Sequence, residues 1–166
     1  MLILLPPSEG KTPPETGNPL DFNALLFPEM SGERRTVLQE LQVTSSLPNA
    51  HEKLNVGKSL QHEVAANQQI LEAPTAPGWQ VYTGVLFDAL DYATLDHVDD
   101  DVTLVFSALF GVTRLSDAIP AYRFPATAKL PGFGPMGTWW RERLTDQLAG
   151  FASGPVIDCR STTYRP

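Results

Sequence analysis

Val102-Thr103-Leu104-Val105-Phe106 is rich in apolar and β-branched side chains and shows no polar alternation. A strand with one wet face alternates, so this run predicts a strand covered on both faces of a sheet. Met1-Leu2-Ile3-Leu4-Leu5, closed by Pro6-Pro7, has the same character, and residues 155–158 read as one more buried strand. Helical spacing separates these runs. Val37, Leu38 and Leu41 recur within residues 33–42. Ser46 and Pro48 supply start signals for a helix over 49–54, and Leu60, Val64, Asn67 and Leu71 share one stripe of a helix over 59–71. Trp140, Leu144 and Leu148 lie four apart within 135–148, with Gly150 as terminator. Residues 79–85 read as β-formers around a Tyr82-Thr83-Gly84 turn, followed by a helical segment through Phe87, Leu90 and Leu95. Residues 111–134, broken by Pro120, Pro125 and Pro131, read as loops with a short strand near Tyr122. The pattern predicts a mixed α/β fold, a central sheet with flanking helices, in one domain over residues 1–166.

The composition, 42% hydrophobic and 19% charged over 166 residues, excludes a disordered or fibrous chain. Twelve basic against nineteen acidic residues give a net charge of −7, which argues against a bulk nucleic-acid packager. The charge is polarised, however. Residues 1–109 hold five basic and fifteen acidic side chains, and residues 110–166 hold seven and four, so the halves carry −10 and +3. The apolar run at residues 1–5 is too short for a signal segment or a membrane span, which predicts a cytoplasmic protein with no membrane partner. Cys159 has no partner for an internal disulfide and reads as a buried cysteine at a strand end.

Four segments could carry chemistry. Ser8-Glu9-Gly10-Lys11-Thr12 follows a strand and resembles the end of a phosphate-binding loop. Leu5 stands where the first glycine of that loop belongs, and prolines flank the segment on both sides. A lysine meeting some other anionic ligand at the sheet edge is the alternative. Leu54-Asn55-Val56-Gly57-Lys58-Ser59 joins two predicted helices, as in helix-hairpin-helix modules, where glycine lets the backbone approach a phosphate. Lys53, Asn55, Gly57 and Lys58 would make that contact, and an ordinary αα-turn is the bland reading. Leu130-Pro131-Gly132-Phe133-Gly134-Pro135 matches the hairpin letters but lacks a preceding helix, so it reads as structural. Arg114, Asp117, Tyr122 and Arg123 lie after the central strand, where α/β sheets bind ligands. The arginines could grip phosphates, or Arg114 could pair with Asp117 to hold the loop. No metal site is expected. His51 and His62 are eleven apart, and the acidic run at 96–101 lacks the glycine and closing glutamate of a calcium loop.

Taken in order, residues 1–8 with Lys11-Thr12, Val81-Tyr82-Thr83-Gly84, Phe106-Ser107-Ala108-Leu109-Phe110-Gly111-Val112 with Arg114 and Asp117, Tyr122-Arg123, the Trp139-Trp140 helix and Val156-Ile157-Asp158-Cys159-Arg160-Ser161 resemble the YaaA family of peroxide stress proteins. The resemblance implies a cytosolic bacterial protein that limits iron-driven oxidative damage and binds DNA through a helix-hairpin-helix and a positively lined cleft. By position, the hairpin falls at 54–59 and the cleft includes Lys11, Arg114, Tyr122, Arg123 and Arg160. The sequence departs from the family at Ala108 and Phe110, where a glycine and a tyrosine are usual. Relatives of this kind continue further, so the chain is expected to be incomplete at its C-terminus. The expected partner is duplex DNA, with no cofactor and no enzymatic activity. The alternative is an enzyme acting on a phosphorylated small molecule or nucleotide, with Lys11 and Arg123 on the phosphate and Tyr122 or Asp117 moving a proton.

Overall fold

Among the buried runs, Leu2–Leu5 (β1) lies inside the sheet, which is why every residue of it is apolar. On one side it pairs in parallel with Thr103–Ser107 (β3), in the register Ile3 to Thr103 and Leu5 to Val105. On the other it pairs in parallel with Val156–Asp158 (β6), Leu2 to Val156. Gly111–Arg114 (β4) returns antiparallel along β3, so the four-stranded sheet runs β4-β3-β1-β6. The computed structural model describes residues 1–95, 103–151 and 154–165. The acidic run at 96–101, compared above with a calcium loop, lies outside them.

The parallel crossover from β1 to β3 carries Ser31–Ser45 (α1), Ala50–Lys53 (α2), Gln61–Ala66 (α3), Gly78–Val81 (α4) and Val85–Leu90 (α5). Ala76–Pro77 (β2) pairs with Ala118–Ile119 (β5) as a small separate ribbon. Met136–Phe151 (α6) brings Trp140 against the β3–β4 turn, where the indole Nε1 donates to the Ala108 carbonyl at 2.8 Å. Phe22, Val37, Leu38, Leu41, Leu104 and Phe110 are among the side chains sealed in the core.

The mixed α/β class stands, with several local corrections. Residues 78–81 form a helical turn rather than a strand, because Tyr82 and Trp79 N–H groups bond to Gly78 and Leu115 carbonyls. The region expected to be loops with a short strand near Tyr122 holds two strands, neither of which includes Tyr122. β4 is begun by Gly111 at φ +73° directly after the β3 turn, and β5 ends three residues before Tyr122. β6 is no buried strand: as the sheet's edge it leaves Val156 49% and Ile157 47% exposed. Cys159 is likewise exposed, although its backbone N–H still bonds to the Leu4 carbonyl at 2.9 Å.

The region expected to hold a helix-hairpin-helix has two short arms. α2 has four residues, and the second arm is a mixed run, Lys58–Leu60 and Asn67–Gln69 in 3₁₀ form around the six residues of α3. Gly57 is extended (φ −59°, ψ 143°), and Asn55 instead takes the left-handed conformation at φ 54°. Asparagine tolerates that region better than most residues, so the turn does not depend on its glycine.

Candidate functional site

Three parallel strands end together, and the loops leaving them build the site. After β1, Pro6-Pro7 holds the chain extended until Ser8, whose hydroxyl donates to the Gly10 carbonyl and accepts from the Thr83 N–H at 3.1 Å. Lys11 then bridges antiparallel to Tyr82, and the Thr12 N–H bonds to the Val81 carbonyl at 2.9 Å. The Lys11 side chain therefore turns inward. Its Nζ donates to the Ser8 carbonyl at 2.7 Å and lies 4.2 Å from the centroid of the Tyr122 ring and 5.5 Å from that of Tyr82. Burial pushes its pKa down to about 7, and the positive charge of Arg123 acts in the same direction against the opposing Glu9 and Glu63.

The two tyrosines behind Lys11 share a hydrogen bond, hydroxyl to hydroxyl, at 3.1 Å, and burial raises the pKa of both. Tyr122 is also bonded to Ser107, the last residue of β3, and packs edge-on against Phe110. Tyr164 is raised in the same way, by burial first and then by Tyr122 and Glu9. These phenols stay protonated across the physiological range and serve as neutral donors.

Arg123 is held on both sides. Its Nη1 donates to the Glu9 carbonyl at 2.9 Å, and its guanidinium lies 3.6 Å from the Glu9 carboxylate and 3.4 Å from that of Glu63. Its backbone is clamped by buried Asn67, which accepts from the Arg123 N–H and donates to its carbonyl, both at 2.8 Å. Arg160 grips Asp158 through two 3.0 Å bonds and lies 4.2 Å from the Phe106 ring centroid. Those bonds from Arg160 hold the Asp158 carboxyl below its usual range. Arg114 pairs with Asp117 at 3.9 Å, and Asp117 accepts backbone N–H bonds from Arg114 and Leu26, so this pair secures the loop. Burial raises the Asp117 pKa in spite of those bonds.

Beside these residues lies a cavity of about 190 Å³, lined by Phe106, Ser107, Gly111, Trp140, Arg160 and Tyr164 among others. Ala126, Thr163 and Tyr164 also line a cleft of about 320 Å³ that reaches Pro6, Pro7 and Glu9. A concave, mostly apolar space with a few polar groups at the carboxyl ends of parallel strands is where α/β folds place ligands.

Apart from Arg114, which is held against Asp117, the structure divides the residues expected from sequence into two groups. Lys11, Tyr122 and Arg123 come together inside, with Arg160 at the neighbouring cavity wall. Lys53, Asn55, Gly57 and Lys58 lie on the exterior, all exposed, with Asn55 Nδ2 donating to Thr127 Oγ1 at 3.1 Å. That bond pins the exposed turn beside the cleft. Tyr82, Ser107, Glu63 and Tyr164 complete the inner group; Tyr82 and Ser107 lie in segments quoted for the resemblance but were not expected as site residues, and Glu63 and Tyr164 lie in none. The visible sign of Tyr82 was its place in a Tyr-Thr-Gly turn. Among the described residues no cluster of histidine, cysteine and carboxylate side chains is arranged to hold a metal.

All 166 residues match the family described as "Peroxide stress protein YaaA". The chain belongs to the YaaA family of peroxide stress proteins. It is 42% identical to a UPF0246 protein of Streptomyces coelicolor over 99% of its own length and 66% of that relative. A UPF0246 protein of Corynebacterium efficiens is also 42% identical, across 99% of the chain and 68% of the relative. An uncharacterized protein of Campylobacter jejuni is 29% identical over 99% of the chain and 69% of its own length. The chain thus spans about two thirds of the YaaA-family relatives it matches. No helix among its described residues is long and apolar enough to cross a membrane.

Proposed function

We propose that this YaaA-family chain binds duplex DNA through phosphate contacts, without reading base sequence, and so helps limit iron-driven damage in the cytoplasm during peroxide stress. The observation that carries the proposal is the exposed turn bearing Lys53, Asn55, Gly57 and Lys58, pinned to Thr127. Two ammonium groups and exposed backbone on one fixed turn suit sequence-independent phosphate contact. Lys129, also exposed, lies two residues beyond the pin. Each phosphate neutralised steepens the fall of log affinity with log salt by about 0.9. Fluorescence anisotropy of a labelled duplex should show such a fall, and Lys53→Glu with Lys58→Glu should flatten it by about two units. Affinity indifferent to salt, or unchanged in a double variant whose circular dichroism is native, would reject the proposal.

The 190 Å³ cavity favours a second reading, an enzyme acting on a phosphorylated small molecule or nucleotide. Arg160, Arg141, Ser107 and Thr145 are among the polar groups lining it. A ligand present at one hundred times its Kd stabilises by about 2.7 kcal/mol, well within reach of a thermal-shift screen of nucleotides and sugar phosphates. No stabilisation at millimolar concentration would exclude this reading.

A further inference from the structure

The cavity of about 190 Å³ beside β3 is walled by the rings of Phe106 and Trp140 and the side chains of Met136, Leu144 and Leu148. Several polar atoms around it are already satisfied within the chain. Trp140 Nε1 donates to the Ala108 carbonyl at 2.8 Å, Ser107 Oγ accepts from the Phe110 N–H at 3.0 Å, and Thr145 Oγ1 donates to the Arg141 carbonyl at 2.6 Å. Arg160 is different. Its Nε and Nη2 each donate once to Asp158, at 3.0 Å, and its Nη1 has no acceptor among the described residues although the side chain is only 16% exposed. Asp158 fixes the guanidinium along one edge, and the Phe106 ring, 4.2 Å away at its centroid, fixes it on one face. Arg160 and Phe106 line the cavity, Asp158 does not, and no carboxylate is among the described lining residues.

We propose that this cavity binds a small monocarboxylic acid with a flat apolar body, about the size of benzoate, whose carboxylate accepts from the Nη1 edge of Arg160. Size sets the body. An apolar cavity of about 150 Å³ holds a benzene ring, so 190 Å³ leaves room for one ring and a small substituent but not for a nucleoside and its phosphate. The Phe106 and Trp140 rings suit a planar aromatic body. Charge sets the head group. A guanidinium edge binds a carboxylate through two parallel N–H bonds. Asp158 already offsets part of the positive charge, so a monoanion is favoured over a doubly charged phosphate. Exposed Arg141 and Thr163 also line the cavity, so a ligand enters from solvent past a second cation. The proposal goes beyond DNA binding, shares no residue with the exposed turn, and gives the cavity a ligand other than the phosphorylated one of the second reading.

The test is fluorine NMR of para-fluorobenzoate with the full chain, followed by displacement with benzoate, benzamide, acetate and phenyl phosphate. The probe should bind saturably, with a Kd of about 1 mM or lower. Benzamide keeps the ring and loses the charge, and should compete at least about tenfold more weakly than benzoate, the loss expected for a charge-assisted pair. Acetate keeps the charge and loses the ring, and should fall by a similar factor of about ten. Arg160→Gln should make benzoate and benzamide equal, and Leu144→Phe, which fills the cavity, should abolish binding of the probe. In the unaltered chain, no saturable binding at about 10 mM, or benzamide competing as well as benzoate, would overturn the proposal whether or not either variant folds. Phenyl phosphate displacing the probe better than benzoate would overturn it too, and would return the cavity to a phosphorylated ligand. Probe binding retained by Leu144→Phe with native circular dichroism would place the ligand elsewhere and likewise overturn it.

Discussion

Arg34 has the largest wholly buried side chain among the described residues, and it is charged. Its Nε donates to the Phe110 carbonyl at 3.0 Å, Nη1 to Phe27 at 3.2 Å, and Nη2 to Leu26 at 2.6 Å and Val112 at 3.0 Å. One planar guanidinium thus joins the segment before α1 to the last residue of the β3–β4 turn and to β4. Burial lowers its pKa to about 10, which leaves it charged under any physiological condition. Replacing it with Met leaves buried carbonyls without a donor, so Arg34→Met should cost at least about 3 kcal/mol in urea unfolding. A loss under 1 kcal/mol would mean that water replaces the guanidinium. Arg34→Lys should also be costly, because one ammonium cannot match the planar fork. This role was partly legible in the sequence. Arg34 lies on the same helical stripe as Val37, Leu38 and Leu41, a position where a surface arginine does not belong.

Among the elements, the β3–β4 hairpin shows where local pattern reaches its limit. β3 was readable because both of its faces are covered. β4 was not, since Gly111-Val112-Thr113-Arg114 mixes glycine and polar residues and, among the described residues, pairs with β3 alone. The hairpin depends on Gly111, whose φ of +73° suits glycine and whose missing side chain admits Trp140. A Cβ there would fall 2.6 Å from the Trp140 ring. Gly111→Ala should therefore destabilise by about 1–3 kcal/mol and change Trp140 fluorescence, as strain and overpacking act together. An unfolding midpoint and spectrum matching the parent would show that α6 yields without cost. The turn at 54–57 teaches a related lesson. Its glycine drew attention in the sequence, but Asn55 takes the positive φ, because the bonds from Asn55 and Val56 N–H groups to Glu52 and His51 carbonyls fix the bend one step earlier.

Across the whole molecule, the inner cluster governs how stability responds to pH. Folded Lys11 releases its proton near pH 7, whereas the unfolded chain holds it to about 10.5. Between those values the unfolded state binds more protons, so stability should rise with pH, by at most about 1.4 kcal/mol per unit from this group. Above pH 10 the sign reverses, because Tyr82 and Tyr122 remain protonated when folded and ionise when unfolded. Urea midpoints from pH 7 to 9.5 should climb for the parent chain and stay flatter for Lys11→Met; parallel profiles would contradict this account.

The sequence by itself determined the α/β class, the central strands and the two longest helices, α1 and α6, because burial on one or both faces leaves a repeating trace along the chain. It also marked Lys11, Tyr122 and Arg123 through their position after strands. Tertiary structure alone decided what surrounds them. The positive charge concentrated after residue 110 pointed to a basic groove, but folding brings Arg123 against Glu9 and Glu63 from the acidic part, and Arg160 against Asp158. Charge sums along a chain do not record which opposite charges meet across it. The exposed turn at 53–58, pinned to Thr127, and the inward-turned amine of Lys11, set against the Tyr82 and Tyr122 rings, are accordingly features of the folded chain, since both follow from contacts between residues far apart in sequence.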